Sequence, residues 1–435
     1  MQKWSSRFSS GVLITLITRG FHILLAFCNK LLIARIFGVG GIGFFTYLAS
    51  FIGVATTIGD CGVLRANIYA VARNSGMTRQ MIKLSFMVAF LVGGLTLVLS
   101  LQSSLFKAFI PSSKIWIVIS ITMMLIVIYL RGILLGKQKF LEYNLIDLAM
   151  NGSFLISILF LTYVITIRDV QEIVYAYFFS IIVTICITFF FLRYELKLGF
   201  PSREAIRYLG VGSRGYLLNI IGYLVIRSDI FLVQFYLGSY SVGLYGVAVA
   251  VAEMIWIFPS VIGQILFPKI AHARDTISQV ATTEYIVRLV TLIGLIEVTV
   301  FVLAGKFLLN IFGPDFMKSY TPLLFLLPGI FTMSISQPLG SYFAGKGYPP
   351  IVILAAGISF LVNLIINIIL IPRWGIIGAS FSTSIAYTIH LIILIYAFIH
   401  ITKSNWKNLF IIKKDDSKFF LNIIFELIKS KKSSF

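Results

Sequence analysis

The sequence predicts an all-α polytopic membrane protein, with twelve transmembrane helices in two pseudo-symmetric six-helix bundles around a central cavity. Three observations predict it. The 435 residues are 59% hydrophobic and only 12% charged, with a mean hydropathy of +0.97. A soluble domain carries about 25% charged residues and hides far less apolar surface. The apolar residues fall in long solid runs rather than the weak alternation of a membrane β-barrel. Lysine and arginine gather in every second connection between those runs. A soluble enzyme and a disordered scaffold are thereby excluded.

The runs cover residues 11–36, 41–63, 84–106, 115–136, 143–167, 171–192, 209–236, 243–268, 285–305, 321–344, 350–371 and 377–401. Each is long enough to cross about 30 Å of hydrocarbon as a helix, which satisfies its own backbone there. With the N-terminus in the cytoplasm, the inner segments hold twenty-six lysines and arginines. The outer loops hold only Lys107, Lys114, Arg168, Lys306, Lys318 and Arg373. That alternation predicts twelve spans with both termini cytoplasmic. It also accounts for the net charge of +20 without nucleic acid, for which no aromatic-basic module is visible. The first run is too long for the apolar core of a signal peptide, and no small-residue cleavage pattern follows it.

An internal repeat divides the chain. Leu31 to Tyr47 reads LLIARIFGVGGIGFFTY, and Ile230 onward reads IFLVQFYLGSYSVGLYG. At an offset of 200 residues, Gly38 falls on Gly238, Gly43 on Gly243 and Phe45 on Tyr245. A second echo sets Gly136-Lys137 against Gly345-Lys346. Six spans per half, in parallel halves, are what a duplicated transporter predicts. The expected division is a first bundle at 1–200, a second at 201–402 and a basic tail at 403–435. The tail mixes eight lysines with Trp406, Phe410, Phe419, Phe420 and Phe425, the pattern of an amphipathic segment on the anionic inner leaflet.

Several motif matches carry no chemistry. Gly38-Val39-Gly40-Gly41-Ile42-Gly43 matches a dinucleotide fingerprint, but lies between two apolar spans with no strand before it, so it reads as a tight interhelical turn. Gly340 to Lys346 nearly matches a P-loop, but Gly347 replaces the Ser or Thr that would hold Mg²⁺. No ATPase engine follows, and the energy must come from an ion gradient, a membrane potential or the substrate's own gradient. Cys28, Cys61 and Cys186 have no metal-like spacing and read as small core residues. The four histidines form no ligand set, and no cofactor is expected.

The informative residues are ionisable groups inside spans, each costing about 2.5–3.5 kcal/mol at the bilayer centre unless it faces a cavity or a partner. The cations are Arg19, Lys30 and Arg35 on the first span, Arg131 at the inner end of the fourth, and Arg214 and Arg227 on the seventh. Arg19 and Lys30, eleven residues apart, share one helix face. Stacked cations suit a substrate carrying phosphate or other acidic groups, because the guanidinium fork pairs with phosphate oxygens. The plainer reading for Arg35 and Arg214 is snorkelling to the interfaces. The acids are Asp60, Asp147, Asp229, Glu253 and Glu297. They are candidates for proton or Na⁺ coupling, or for structural ion pairs such as Asp229 with Arg227 or Lys30. Glu253 and Glu297, without a local basic partner in sequence, are the stronger coupling candidates.

Leu31-Leu32-Ile33-Ala34-Arg35-Ile36-Phe37-Gly38, followed by Gly43-Phe44-Phe45 and by Asp60-Cys61-Gly62-Val63 with Arg65, resembles the opening of polysaccharide flippases. These form the polysaccharide-transport branch of the multidrug/oligosaccharidyl-lipid/polysaccharide exporter superfamily. Arg131 to Phe140 (RGILLGKQKF) is similar to that family's end of span four. Arg227-Ser228-Asp229, Gly238, Val242 to Tyr245 and Pro268 are similar to its second-half opening. The resemblance runs from about residue 11 to 402. It departs at Cys61, where such motifs usually carry Leu, and it lacks the two extra spans of lipid II flippases.

The resemblance implies a V-shaped pair of bundles with a laterally accessible central cavity. It further implies movement of an undecaprenyl-pyrophosphate-linked oligosaccharide, an O-antigen or capsule unit, from the inner to the outer leaflet of a bacterial inner membrane. The partners expected are the lipid-linked oligosaccharide, membrane lipids, an H⁺ or Na⁺ counter-ion and other polysaccharide assembly proteins. The competing reading is a multidrug exporter of the same superfamily, whose cavity should lean acidic where these spans lean basic. A membrane polymerase would need longer catalytic loops than any connection here.

Overall fold

A computed structural model describes residues 2–102, 114–166, 169–196, 199–213, 216–272, 275–347 and 349–411. For residues 2–17, 19, 261, 264, 265, 267–269, 271 and 272 it describes the backbone only. The described residues are helical, without strands. In chain order the helices are α1 (Gln2–Gly59), α2 (Val63–Arg73), α3 (Thr78–Gln102), α4 (Lys114–Gly136), α5 (Phe140–Phe160), α6 (Gln171–Leu192) and α7 (Arg203–Arg207). They continue with α8 (Leu209–Gly212), α9 (Tyr216–Ala252), α10 (Ile257–His272), α11 (Thr276–Phe312), α12 (Tyr320–Gly345), α13 (Pro350–Thr402) and α14 (Trp406–Phe410).

Nine helical segments among the described residues are long and apolar enough to cross a membrane. Three of them are kinked at a glycine that joins two helices. Gly38 in α1 has φ 69° and ψ −165°, Gly238 in α9 has φ 77° and ψ 179°, and Gly375 in α13 has φ 59° and ψ −141°. A side chain is excluded from this corner of backbone space, so only glycine makes these turns without strain. The glycine run at Gly38 is thus an interhelical turn, as its apolar flanks predict. Three such turns let nine continuous segments carry the twelve apolar runs.

The chain packs into two compact units: Met1–Val247 with Asn310–Lys318, and Ala248–Leu309 with Ser319–Phe435. In the first unit the two repeat copies cross each other reciprocally. A side chain at Gly43 would collide with the Ser239 carbonyl, and one at Gly243 with the Val39 carbonyl. Residues 39 and 239 are themselves repeat equivalents, so the crossing has local two-fold character. Thr46 packs on Gly246 in the same register.

The interior of the first unit is α4, with Ile117, Ile121, Leu125, Tyr129, Leu130, Ile133 and Leu134 fully buried. Between Lys114 and Arg131 it is almost entirely apolar, as a largely buried helix is. Gly132 and Gly136 admit α2 closely, since a methyl at either would sit 2.8 Å from the Leu64 oxygen or 2.9 Å from the Ile68 oxygen. This is the small-xxx-small packing of membrane helices, and it explains the RGILLG stretch. Asn67 of α2 stitches the contact, donating to Ser85 Oγ at 2.9 Å and to the Tyr129 carbonyl at 2.8 Å. Asn67→Ala is expected to cost about 1–2 kcal/mol, read as a lower unfolding midpoint of the detergent-solubilised protein. An unchanged midpoint would mean that the glycine contacts alone hold α2. On α3, Phe90, Leu91, Leu95 and Leu101 are exposed, as befits a face turned to hydrocarbon.

In the second unit, α12 carries Pro328 and Pro338 inside a continuous helix. Ser384 of α13 bonds the backbone around Pro328. Its hydroxyl donates to the Phe325 carbonyl at 2.5 Å and accepts from Gly329 N at 3.1 Å. Asn363, Asn367 and Thr383 of α13 form a buried neutral cluster, with Asn367 donating to Asn363 at 2.9 Å.

The described start of the tail folds back onto α11. Ser404 bonds Glu284, Arg288 bonds the Asn408 carbonyl, and Leu409 is fully buried. The rest of the expected amphipathic tail of 403–435, residues 412–435, lies outside the described residues.

Candidate functional site

A polar cluster in the first unit is assembled by α1, α4 and α5. Tyr143, Asp147 and Asn151 recur every four residues on α5 and so share one face. Asp147 Oδ2 accepts from Arg131 Nη2 of α4 at 2.6 Å. The guanidinium lies over the Tyr143 ring, 4.4 Å from its centroid. Asn151 donates to the Asp147 carbonyl at 3.1 Å. Asn29 of α1 donates to the Asn151 carbonyl at 3.0 Å and to its Oδ1 at 3.4 Å. Arg131 precedes the end of α4 by five residues and Asp147 follows the start of α5 by seven. Both therefore lie about 8–10 Å from the α4–α5 turn.

The electrostatics follow from that depth. An isolated guanidinium or carboxylate inside a span is costly, and pairing the two removes most of the penalty. The pair is not sealed, because the Arg131 side chain is 15% exposed and that of Asp147 is 32% exposed. It is also not saturated. Arg131 Nε and Asn29 Oδ1 are buried and make no hydrogen bond. One turn beyond Asn151, Phe154 stacks on Phe45 with centroids 5.2 Å apart, and Tyr177 meets Phe154 edge-on at 5.9 Å. The α5 face thus runs from ionic to amide to aromatic.

The sequence offers Arg131 as a substrate cation and Asp147 as a coupling or ion-pair acid without linking them; the structure makes them partners. Lys30 is half-buried, next in sequence to Asn29. Arg35 is exposed and donates twice to the Ile311 carbonyl, at 2.9 and 2.6 Å. It thereby caps the C-terminal end of α11, where a cation is favourable. Arg227 is half-buried on α9. The Arg19 side chain and Arg214 lie outside the described residues.

The remaining acids have distinct settings. Asp60 accepts from Leu64 N at 3.0 Å, reaching across the turn at Cys61 and Gly62 into the first turn of α2. Asp229 is buried, accepting from the Tyr245 hydroxyl at one oxygen and from Ile230 N at the other, 2.8 Å away. Glu253 is half-buried in a short 3₁₀ turn before α10. Glu297 is half-buried on α11, with a buried Oε2 that makes no hydrogen bond. No group of metal-ligating side chains occurs among the described residues.

Asn29, Tyr143 and Asn151 are not singled out by the sequence, and Tyr245 only as the repeat partner of Phe45 and in the family resemblance. The four-residue spacing of Tyr143, Asp147 and Asn151 was the available signal. For Tyr245, it was the hydroxyl that it adds at the repeat position of Phe45.

The comparisons agree with this architecture. The fold is shared with a multidrug resistance MATE family transporter of the MOP superfamily, at TM-score 0.73 and 14% identity over 90% of this chain and 98% of the other. It is shared equally with the lipid II flippase MurJ, at TM-score 0.72 and 14% identity over 97% and 98%. A Shigella flexneri protein named as an O-antigen transporter is 23% identical over 383 residues, covering 83% of this chain and 90% of its own. Agl15 of Haloferax volcanii, named as a low-salt glycan biosynthesis flippase, is 23% identical over 230 residues. That match takes in 52% of this chain and only about half of Agl15, 48%. Residues 32–321 match the model of a family described as polysaccharide biosynthesis protein. With two thirds of its length inside that match, and with the fold and repeat above, the chain is a multi-pass membrane protein belonging to the polysaccharide biosynthesis protein family.

Proposed function

We propose that the protein is a flippase moving an undecaprenyl-pyrophosphate-linked oligosaccharide, an O-antigen or capsule unit, from the cytoplasmic to the outer leaflet of a bacterial inner membrane. The observation that carries this reading is the incompletely bonded guanidinium of Arg131 inside the span region, beside two amides and an aromatic face. Such a group suits a phosphate, and amides and aromatic rings suit sugars. The names of two relatives, one a glycan biosynthesis flippase and the other an O-antigen transporter, support the same reading. In this scheme the halves 1–200 and 201–402 alternate access around a central cavity. Lys30, Arg227, Arg19 and Arg214 add positive charge along the path, and no catalytic step is involved. Asp229, Glu253 and Glu297 are the proposed sites of H⁺ or Na⁺ coupling, and the tail contacts inner-leaflet lipids or other assembly proteins.

The test is complementation of a bacterial strain that lacks its O-antigen flippase, scored for surface glycan. Restored glycan is expected, with no change in drug resistance. Drug efflux without glycan would favour the multidrug reading, which the MATE-like fold keeps in play. The orientation is checked separately: reporter fusions after Lys306 should report the outer side and fusions after Lys346 the cytoplasm. The reverse pattern would invalidate the topology.

A further inference from the structure

We propose that Asp147 is a built-in placeholder for the substrate's phosphate. Its carboxylate occupies the Arg131 guanidinium when no lipid pyrophosphate is bound, and is displaced when one arrives. The inference deepens the flippase reading and rests on it, since it assigns one side chain the task of imitating the cargo.

The geometry carries it. The carboxylate engages a single guanidinium nitrogen, Nη2, at 2.6 Å, while Nε is buried and makes no hydrogen bond. A fully committed structural pair would use the fork bidentately. Here the carboxylate holds one prong and leaves another N–H for a further acceptor oxygen. Tyr143 holds the guanidinium plane in place, with 4.4 Å between the charge centre and the ring centroid. The arginine therefore stays in position while its partner changes. Asp147 is about twice as exposed as Arg131, 32% against 15%, so the carboxylate is the member free to swing away. Next to it, Asn151 and Asn29 form an amide pair whose Asn29 Oδ1 is buried and unbonded. That oxygen can accept from a hydroxyl on the first sugar.

The arrangement resolves a physical conflict. A bare arginine in a span is too costly to keep between transport cycles. An arginine locked in a saturated pair would not release its partner for cargo. A one-pronged internal anion meets both demands.

The experiment uses the full chain in lipid nanodiscs, with farnesyl pyrophosphate as the probe. Asp147→Asn removes the competing charge and is expected to bind the probe about fivefold more tightly than the native chain. Arg131→Ala should bind it weakly, and the gain from Asp147→Asn should vanish in the Arg131→Ala background. Equal or weaker binding by Asp147→Asn would overturn the proposal. A measurement on the native chain does not depend on any variant folding. Carbodiimide labelling of Asp147, read by mass spectrometry, should rise when the probe is added, and unchanged or reduced labelling overturns the proposal. Binding and labelling judge the placeholder alone, whereas surface glycan in the flippase-null strain judges the flippase reading.

Discussion

Leucine at Gly43 or at Gly243 is expected to abolish accumulation of correctly folded protein. At Gly43 the first carbon of any side chain meets the Ser239 carbonyl and comes within 2.8 Å of Gly243 N. At Gly243 it meets the Val39 carbonyl and comes within 3.0 Å of Val39 Cγ1. Backbone faces backbone, so no rotamer change relieves the clash. The cost exceeds the roughly 1–3 kcal/mol typical of overpacking and consumes much of an ordinary folding stability of about 5–15 kcal/mol. Gly40 supplies the control, because a side chain there meets nothing within 4 Å, and Gly40→Ala should be close to neutral. Gel filtration of fluorescent fusions reads the result. A monodisperse Gly43→Leu protein with the native unfolding temperature would show that the two repeat copies do not cross as described.

Arg131→Ala is expected to lower glycan export about 100-fold, the loss of a charge-assisted phosphate contact worth about 3 kcal/mol. Lysine should restore part of it, as a point charge without the fork. The single substitution also strands Asp147, so some loss of stability is expected. Arg131→Ala combined with Asp147→Ala removes both charges and separates the two effects. The double variant should recover the native unfolding temperature and remain inactive, judged by surface glycan at matched protein level. Full export by the double variant would show that the pair is scaffolding.

These outcomes bear on how far residues alone could be read. Membrane residence, the all-helical class, the duplication and the family follow from properties that are local in sequence. Twelve apolar runs need no tertiary information, since a helix satisfies its backbone by itself. The repeat copies around Gly38 and Gly238 align because each needs glycine at the same turn. The family resemblance drew on Arg131 and the two glycines after it, and the structure shows why that segment is particular. Gly132 and Gly136 receive α2, and the arginine just before them is left facing α5.

Partnership is where the sequence stops. Arg131 and Asp147 are sixteen residues apart across a turn, and nothing in that separation says that they meet. Asn29 and Asn151 are 122 residues apart and became a pair only when α1 packed on α5. The sequence offers Arg35 as a substrate cation or a snorkelling one, and only the packing shows that α11 ends beside it and presents the Ile311 carbonyl. The sequence offers Asp60 as a coupling acid or a structural one, and only the structure shows that it bonds the Leu64 amide where α2 begins. Composition and periodicity determine that a charge lies within a span, because the cost of burying it depends on the bilayer alone. What that charge touches depends on how helices distant in the chain cross, at contacts such as Gly43 on Ser239 and Gly132 on Leu64, and only the tertiary structure decides that.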